Sequence, residues 1–218
     1  MSDTAVESPR ERLHRIYTLY DLWARDFSFA CTKGCSTCCT RSVSLTMLEA
    51  EEIGDFLREK RPDLLDTARG LPPSPLDPPT TNEFAAACLR REEMELDTDW
   101  DMRPCLFLED DCCGIYPARP FMCRSLGSKV PCHLSGAAEM EPLFLTLNTL
   151  VMQYLEHLDQ GRPWGNLHAI LPMALSPGRT GTDDHRISLP IPGLLVLPEE
   201  EPALHNHLRT LDQIISGP

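Results

Sequence analysis

Apolar side chains recur every three to four positions in several stretches of the chain, and each such stretch predicts a helix with one buried face. The first opens at Ser8, with Pro9 in the first helical position, and carries Leu13, Ile16, Tyr17, Tyr20, Trp23 and Phe27. After a cysteine-rich interval, Val43-Ser44-Leu45 reads as a short extended piece. Thr46 and Glu49 then form a capping box, each side chain satisfying the other's backbone amide. The helix that follows buries Met47, Ala50, Ile53, Phe56 and Leu57 and stops before Pro62. A third helix is expected from about Asn82 to Met94. Pro142 opens an amphipathic helix with Leu143, Leu147, Leu150, Val151, Tyr154, Leu155 and Leu158 on one side, and Gly161 closes it. Two further apolar stretches, Trp164 to Leu175 and Ile191 to Leu197, lead to a last helix from about Pro198 with Leu204, Leu208, Leu211 and Ile214.

Between Leu71 and Thr81 stand Pro72, Pro73, Pro75, Pro78 and Pro79, too dense for regular structure, so residues 71–81 are expected to form a loop. Leu106-Phe107-Leu108, Glu109-Asp110-Asp111 and Cys112 to Tyr116 predict a small hairpin, and Pro117 to Arg124 a helical turn. Strands do not alternate with helices, which argues against a doubly wound or barrel core. The expected fold is mainly α with a small β-hairpin. An irregular cysteine-rich metal-binding domain would span residues 1–135, and a helical C-terminal extension, residues 136–218, would pack on it.

With 218 residues, 42% of them hydrophobic, the chain can bury a real core. The 20 Lys and Arg face 33 Asp and Glu, and the net charge of -13 repels phosphate backbones and anionic lipid surfaces. Nucleic acid and membranes are therefore not expected partners. The first residues show no apolar run behind a basic start, and no uncharged apolar run approaches the length of a membrane span, so the expected location is the cytoplasm. Ten cysteines in a reducing compartment read as metal ligands rather than disulfides.

Four of the thiols fall within nine residues, Cys31-Thr-Lys-Gly-Cys35-Ser-Thr-Cys38-Cys39. Two or three residues between ligands let a backbone loop around one ion, Gly34 permits a tight turn beside Cys35, and thiolates suit zinc, iron and copper(I). A second group comprises Cys105, Cys112-Cys113, Cys123 and Cys132, and joint chelation requires the two groups to meet in space. Adjacent Cys38 and Cys39 are expected to point differently, so the thiols could serve one centre or two.

Together, CTKGCSTCC (31–39), PCLFL (104–108), CGIY (113–116), ARP (118–120) and CR (123–124) resemble the CxxCxxCC cysteine-cluster family of zinc- or iron-chelating domains, over roughly residues 27–135. The resemblance implies Cys35, Cys38, Cys39, Cys105, Cys113 and Cys123 as ligands, with Cys31 matching the leading cysteine; Cys132 is added from its place after the signature. The three residues between Cys31 and Cys35, and the extra Cys112, depart from the family pattern. Flagellin lysine N-methylases are similar through the same signature, which implies that an iron–sulfur cluster can sit here beside S-adenosylmethionine chemistry. Ligand type fits a four-thiolate zinc and a [4Fe-4S] cluster equally, and it is the resemblance that favours the cluster, with zinc the alternative. Cys31-x3-Cys35-x2-Cys38 also matches the spacing of radical S-adenosylmethionine enzymes, but Thr37 replaces their usual aromatic residue and no βα alternation follows.

Arg119 and Arg124 are expected beside the sulfurs, where guanidinium donors offset the negative charge of a four-thiolate centre. Tyr116 and Pro120 read as packing groups, Cys88 as a small buried hydrophobe, and Cys112 as either a ligand or an outward-facing hairpin residue. His205 and His207 share no helix face, so with His185 they make no second metal site, and Glu199-Glu200-Glu201 complements a helix dipole. Two function classes remain. One is a cluster-bearing protein with a redox, group-transfer or accessory role toward a peptide, protein or small molecule, and the other a zinc-stabilised interaction module without catalysis. An S-adenosylmethionine-dependent enzyme ranks behind both.

Overall fold

The computed structural model describes residues 7–72, 78–94, 100–176 and 185–217; residues 73–77 of the expected proline-rich loop lie outside them. Ser8 caps α1 (Pro9–Trp23), its hydroxyl accepting from the Glu11 amide while the Glu11 carboxylate accepts from the Ser8 amide. A single 3-10 turn (Ala24–Asp26) releases the chain into the cysteine loop. β1 (Ser44–Thr46) runs directly into α2 (Met47–Lys60), where the expected Thr46–Glu49 box has formed. After α3 (Leu65–Arg69), α4 (Thr81–Arg90) starts from a further box, Thr80 with Glu83. It stops short of the expected Met94, because Arg91 turns left-handed at φ 57°.

β2 (Leu108–Glu109) and β3 (Cys112–Cys113) make the expected hairpin, and α5 (Phe121–Arg124) and α6 (Cys132–Ser135) are single turns. The long amphipathic segment is α7 (Pro142–Leu158). The apolar stretch after it divides into β4 (Pro163–Asn166) and α8 (Leu167–Leu175); β5 (Arg186–Ile187) and α9 (Glu201–Ser216) follow. The fold is thus mainly α, with a hairpin and, in addition, a three-stranded antiparallel sheet in the order β1-β4-β5. Ser44 pairs with Asn166 and Thr46 with Trp164, so the stretch behind the first cysteines is stitched to the C-terminal part of the chain.

Two apolar cores result. One joins Ile53 and Leu57 of α2 to Ile170 and Leu171 of α8, with Phe107 and Ile115 from around the hairpin. The other packs α1, α7 and α9 through Ile16, Tyr20, Phe144, Leu150, Leu211 and Ile214. Buried Glu156 of α7 holds three remote groups: the Thr80 hydroxyl at 2.6 Å and the Asn82 and Leu189 amides, each at 2.9 Å. Among the described residues no helix is long and apolar enough to cross a membrane.

Candidate metal centre

The first cysteine stretch is folded by its own backbone. Gly34, at φ 88°, makes the left-handed turn that lets the Cys35 amide reach the Thr32 carbonyl at 3.0 Å. The Cys39 amide then bonds the Ser36 carbonyl at 2.8 Å. At its far end this loop is zipped to the second stretch: Cys105 donates to the Cys39 carbonyl at 2.9 Å, Thr40 bridges Pro104, and Arg41 donates to the Arg103 carbonyl at 3.1 Å. Two groups of thiols more than sixty positions apart are therefore neighbours through main-chain bonds.

The hairpin turn carries positive φ at Asp110 (48°) and Asp111 (59°), a conformation that favours glycine or asparagine. Asp111 uses it to accept a hydrogen bond from the Ser36 hydroxyl at 2.8 Å, tying the cysteine loop to the turn beside Cys112. Cys123 is placed by α5. The amide of Phe121, first residue of that turn, donates to Glu49 at 2.7 Å, and the same carboxylate oxygen accepts from the Tyr17 hydroxyl at 2.6 Å. Arg124 lies 4.2 Å above the Tyr17 ring and donates to the Arg119 carbonyl at 3.0 Å. Arg119 itself stacks 3.8 Å from the Tyr116 ring centroid.

These segments enclose a cavity of about 690 Å³. Cys31, Cys35, Cys38, Cys39, Cys105, Cys113 and Cys123 line it, and so does Cys112, whose place the sequence leaves open. Cys31 and Cys35 are exposed, while the others are partly buried. Cys132 is not in the lining; it is buried at the start of α6. Cys88 is exposed on α4, where the sequence predicts a buried side chain: the buried positions of this short helix are Asn82, Ala85 and Ala87 instead. Cys38 and Cys39, expected to point differently, both line this space.

The thiols interact strongly. Mutual interaction between Cys38 and Cys39 pushes the first thiol up and the second down. Burial raises Cys123, and neighbouring Cys105, Cys113 and Cys38 raise it further, while Arg119 opposes them. Burial also raises Cys105 and Cys113, with Arg41 acting against the rise at the first and Arg119 at the second. A wall that resists becoming several thiolates alone, yet holds guanidinium groups nearby, fits a bound cation or cationic cluster. Among the described residues no three Cys, His, Asp or Glu stand ready-made around an ion, so closure on a metal requires the thiols to rotate inward from the wall.

Both arginines expected beside the sulfurs line the cavity, and two groups join them that the sequence does not single out: Arg41 and His168. The signal for Arg41 was its place two residues after Cys39. None existed for His168, which arrives from the N-terminus of α8 through the pairing of β1 with β4. The profile of a family described as "CxxCxxCC: Putative zinc- or iron-chelating domain" matches residues 30–139. No curated protein and no solved structure matches the chain.

Proposed function

The chain belongs to the CxxCxxCC family, a zinc- or iron-chelating domain, and on that premise we propose that it holds a [4Fe-4S] cluster in the cysteine-lined cavity for redox or group-transfer work on a small molecule. One observation carries this reading. Thiols from two distant stretches line a single cavity, and its volume of about 690 Å³ lies within the range of roughly 300–1,000 Å³ typical of small-molecule sites, where one metal would leave most of the space free.

The ligands are drawn from Cys38, Cys39, Cys105, Cys113 and Cys123, which line the cavity together and influence one another's ionisation. Cys31, Cys35 and Cys112 lie on the same wall, the first two at its exposed part. A cluster supplies electron transfer or, at an iron with an open position, a site for substrate. The chain's own residues set its surroundings. Arg119 offsets the charge on Cys113 and Cys123, Arg41 does so at Cys105, and Phe107 and Ile115 supply buried apolar wall. The cytoplasm suits ten thiols without disulfide partners.

Anaerobic purification with iron, sulfide and zinc analysis tests the proposal. Brown protein with sulfide matching iron supports it. Colourless protein carrying tightly held zinc replaces the cluster with the zinc alternative, and protein without either metal removes both.

A further inference from the structure

Resting on the reading that this cavity houses a metal and a small molecule, we propose that Arg41 and His168 form a substrate subsite. Arg41 would take a carboxylate, and His168 would accept a hydrogen bond from a hydroxyl or ammonium on the adjacent carbon. The substrate class is a small hydroxy- or amino-carboxylate.

Both side chains line the cavity and neither belongs to the cysteine signature. Arg41 is held at several points. Its Nε donates to the Pro104 carbonyl at 3.1 Å, its amide to the Arg103 carbonyl at 3.1 Å, and its own carbonyl accepts from the Asn166 side chain at 2.9 Å. The guanidinium plane is thereby fixed by Nε, and the two terminal nitrogens remain for a ligand. The acid nearest in charge, Asp101, is engaged by Arg103 at 2.6 Å, with a second bond at 2.8 Å. Among the described residues no carboxylate makes an ion pair with Arg41, in a protein of net charge -13; of the two other arginines in the lining, Arg124 pairs with Asp21 at 3.6 Å and Arg119 stacks on Tyr116.

His168 is only 5% exposed, and its ring is hydrogen-bonded to Pro72, whose main chain offers only a carbonyl to accept the ring N–H. Burial, and then the nearby Arg41 and Arg103, push the ring's pKa down against the opposing pull of Pro72 and Asp101, which favours the form with a lone pair on the second nitrogen. A guanidinium fork beside a hydrogen-bond acceptor complements a carboxylate with a neighbouring donor group. The fork takes both oxygens of a planar carboxylate, whereas a phosphate dianion would set unprotonated oxygens against the acceptor nitrogen of His168 with no proton between them. His168 lies outside residues 30–139, so this half of the subsite comes from the C-terminal segment and not from the shared domain.

The test uses metal-loaded full-length protein, with glycolate, acetate and inorganic phosphate as probes in ligand-observed NMR or calorimetry, and metal content measured on every sample. The expected result is glycolate binding tighter than acetate, with phosphate weakest. Arg41→Gln should weaken glycolate about ten- to a hundredfold, the usual loss for hydrogen bonds to a charged group. Arg41→Lys, which keeps the charge and loses the fork, should fall between. His168→Phe should bring glycolate down to the affinity of acetate. Metal-replete wild-type protein that binds no glycolate, or binds phosphate as well as it binds glycolate, would overturn the subsite and leave the metal centre intact. Arg41-dependent glycolate binding by protein that takes up neither iron nor zinc on attempted loading would support the subsite and remove the centre.

Discussion

Glu49 is the group on which placement of Cys123 depends, and replacing it with Gln isolates that role. The carboxylate is 4% exposed. One oxygen accepts from the Phe121 amide at 2.7 Å and the Tyr17 hydroxyl at 2.6 Å. The other accepts from the Thr46 amide at 2.9 Å and the Thr46 hydroxyl at 3.0 Å. Each oxygen thus faces one backbone N–H and one hydroxyl. A hydroxyl can turn and accept from an amide group; a backbone N–H cannot. In either orientation of the Gln amide, one buried backbone donor therefore loses its acceptor, which costs about 1–3 kcal/mol, and the remaining bonds lose charge assistance. The sum is about 2–4 kcal/mol of stability. If the orphaned group is the Phe121 amide, the turn carrying Cys123 loosens and metal content falls as well. Urea denaturation of the two proteins, with metal analysis of each, measures both effects. A Glu49→Gln protein with wild-type midpoint and full metal content would refute this account of how Cys123 is held.

Three other outcomes follow from particular contacts. Burial pushes the Asp159 carboxyl up to about 6 from its ordinary 3.8, although it caps the Leu48 amide at 3.0 Å and pairs with Arg162 at 3.1 Å. The folded state then holds a proton that the unfolded state releases, so this contribution to stability is full below about pH 3.8 and is lost as pH rises through about 6. Asp159→Asn should flatten that segment of the stability profile by up to about 3 kcal/mol, and parallel profiles for the two proteins would contradict it. At Gly127, an added Cβ would stand 2.6 Å from Cε1 of Phe29, whose ring packs 4.9 Å from that of Phe144 at the base of the Cys31 loop. Gly127→Ala should therefore cost about 1–3 kcal/mol in a urea melt, and an unshifted midpoint would show that Phe29 moves aside freely. Cys88→Ser should change neither metal content nor melting, because this thiol is exposed and outside the cavity; loss of metal would redraw the ligand set.

The parts of this fold legible in the sequence are those encoded locally. Pro9 behind Ser8 and the Thr46–Glu49 capping box announce helix starts within four residues, and the acidic turn between Leu108 and Cys112 announces the hairpin. The three-stranded sheet was not legible. Its strands have three, four and two residues, too few for an alternating pattern, and one begins with Pro163. That sheet delivers Leu167 and His168 to the cavity, so this part of its lining was hidden with it. The capping role of Glu49 was readable, but only for the oxygen facing Thr46; the one that holds Phe121 depends on a contact 72 positions away. Cysteine spacing pointed to convergence, yet could not say that Cys38 and Cys39 would line the same space or that Cys132 would be buried outside the lining.

Alkylation of thiols, read by mass spectrometry on metal-loaded and chelator-stripped protein, addresses the central claim most directly. If one centre joins the two stretches, Cys38 or Cys39 and Cys105, Cys113 and Cys123 become protected together when metal is bound and reactive together when it is removed, while exposed Cys88 reacts in both states. Protection confined to one stretch, or a pattern indifferent to metal, would contradict it.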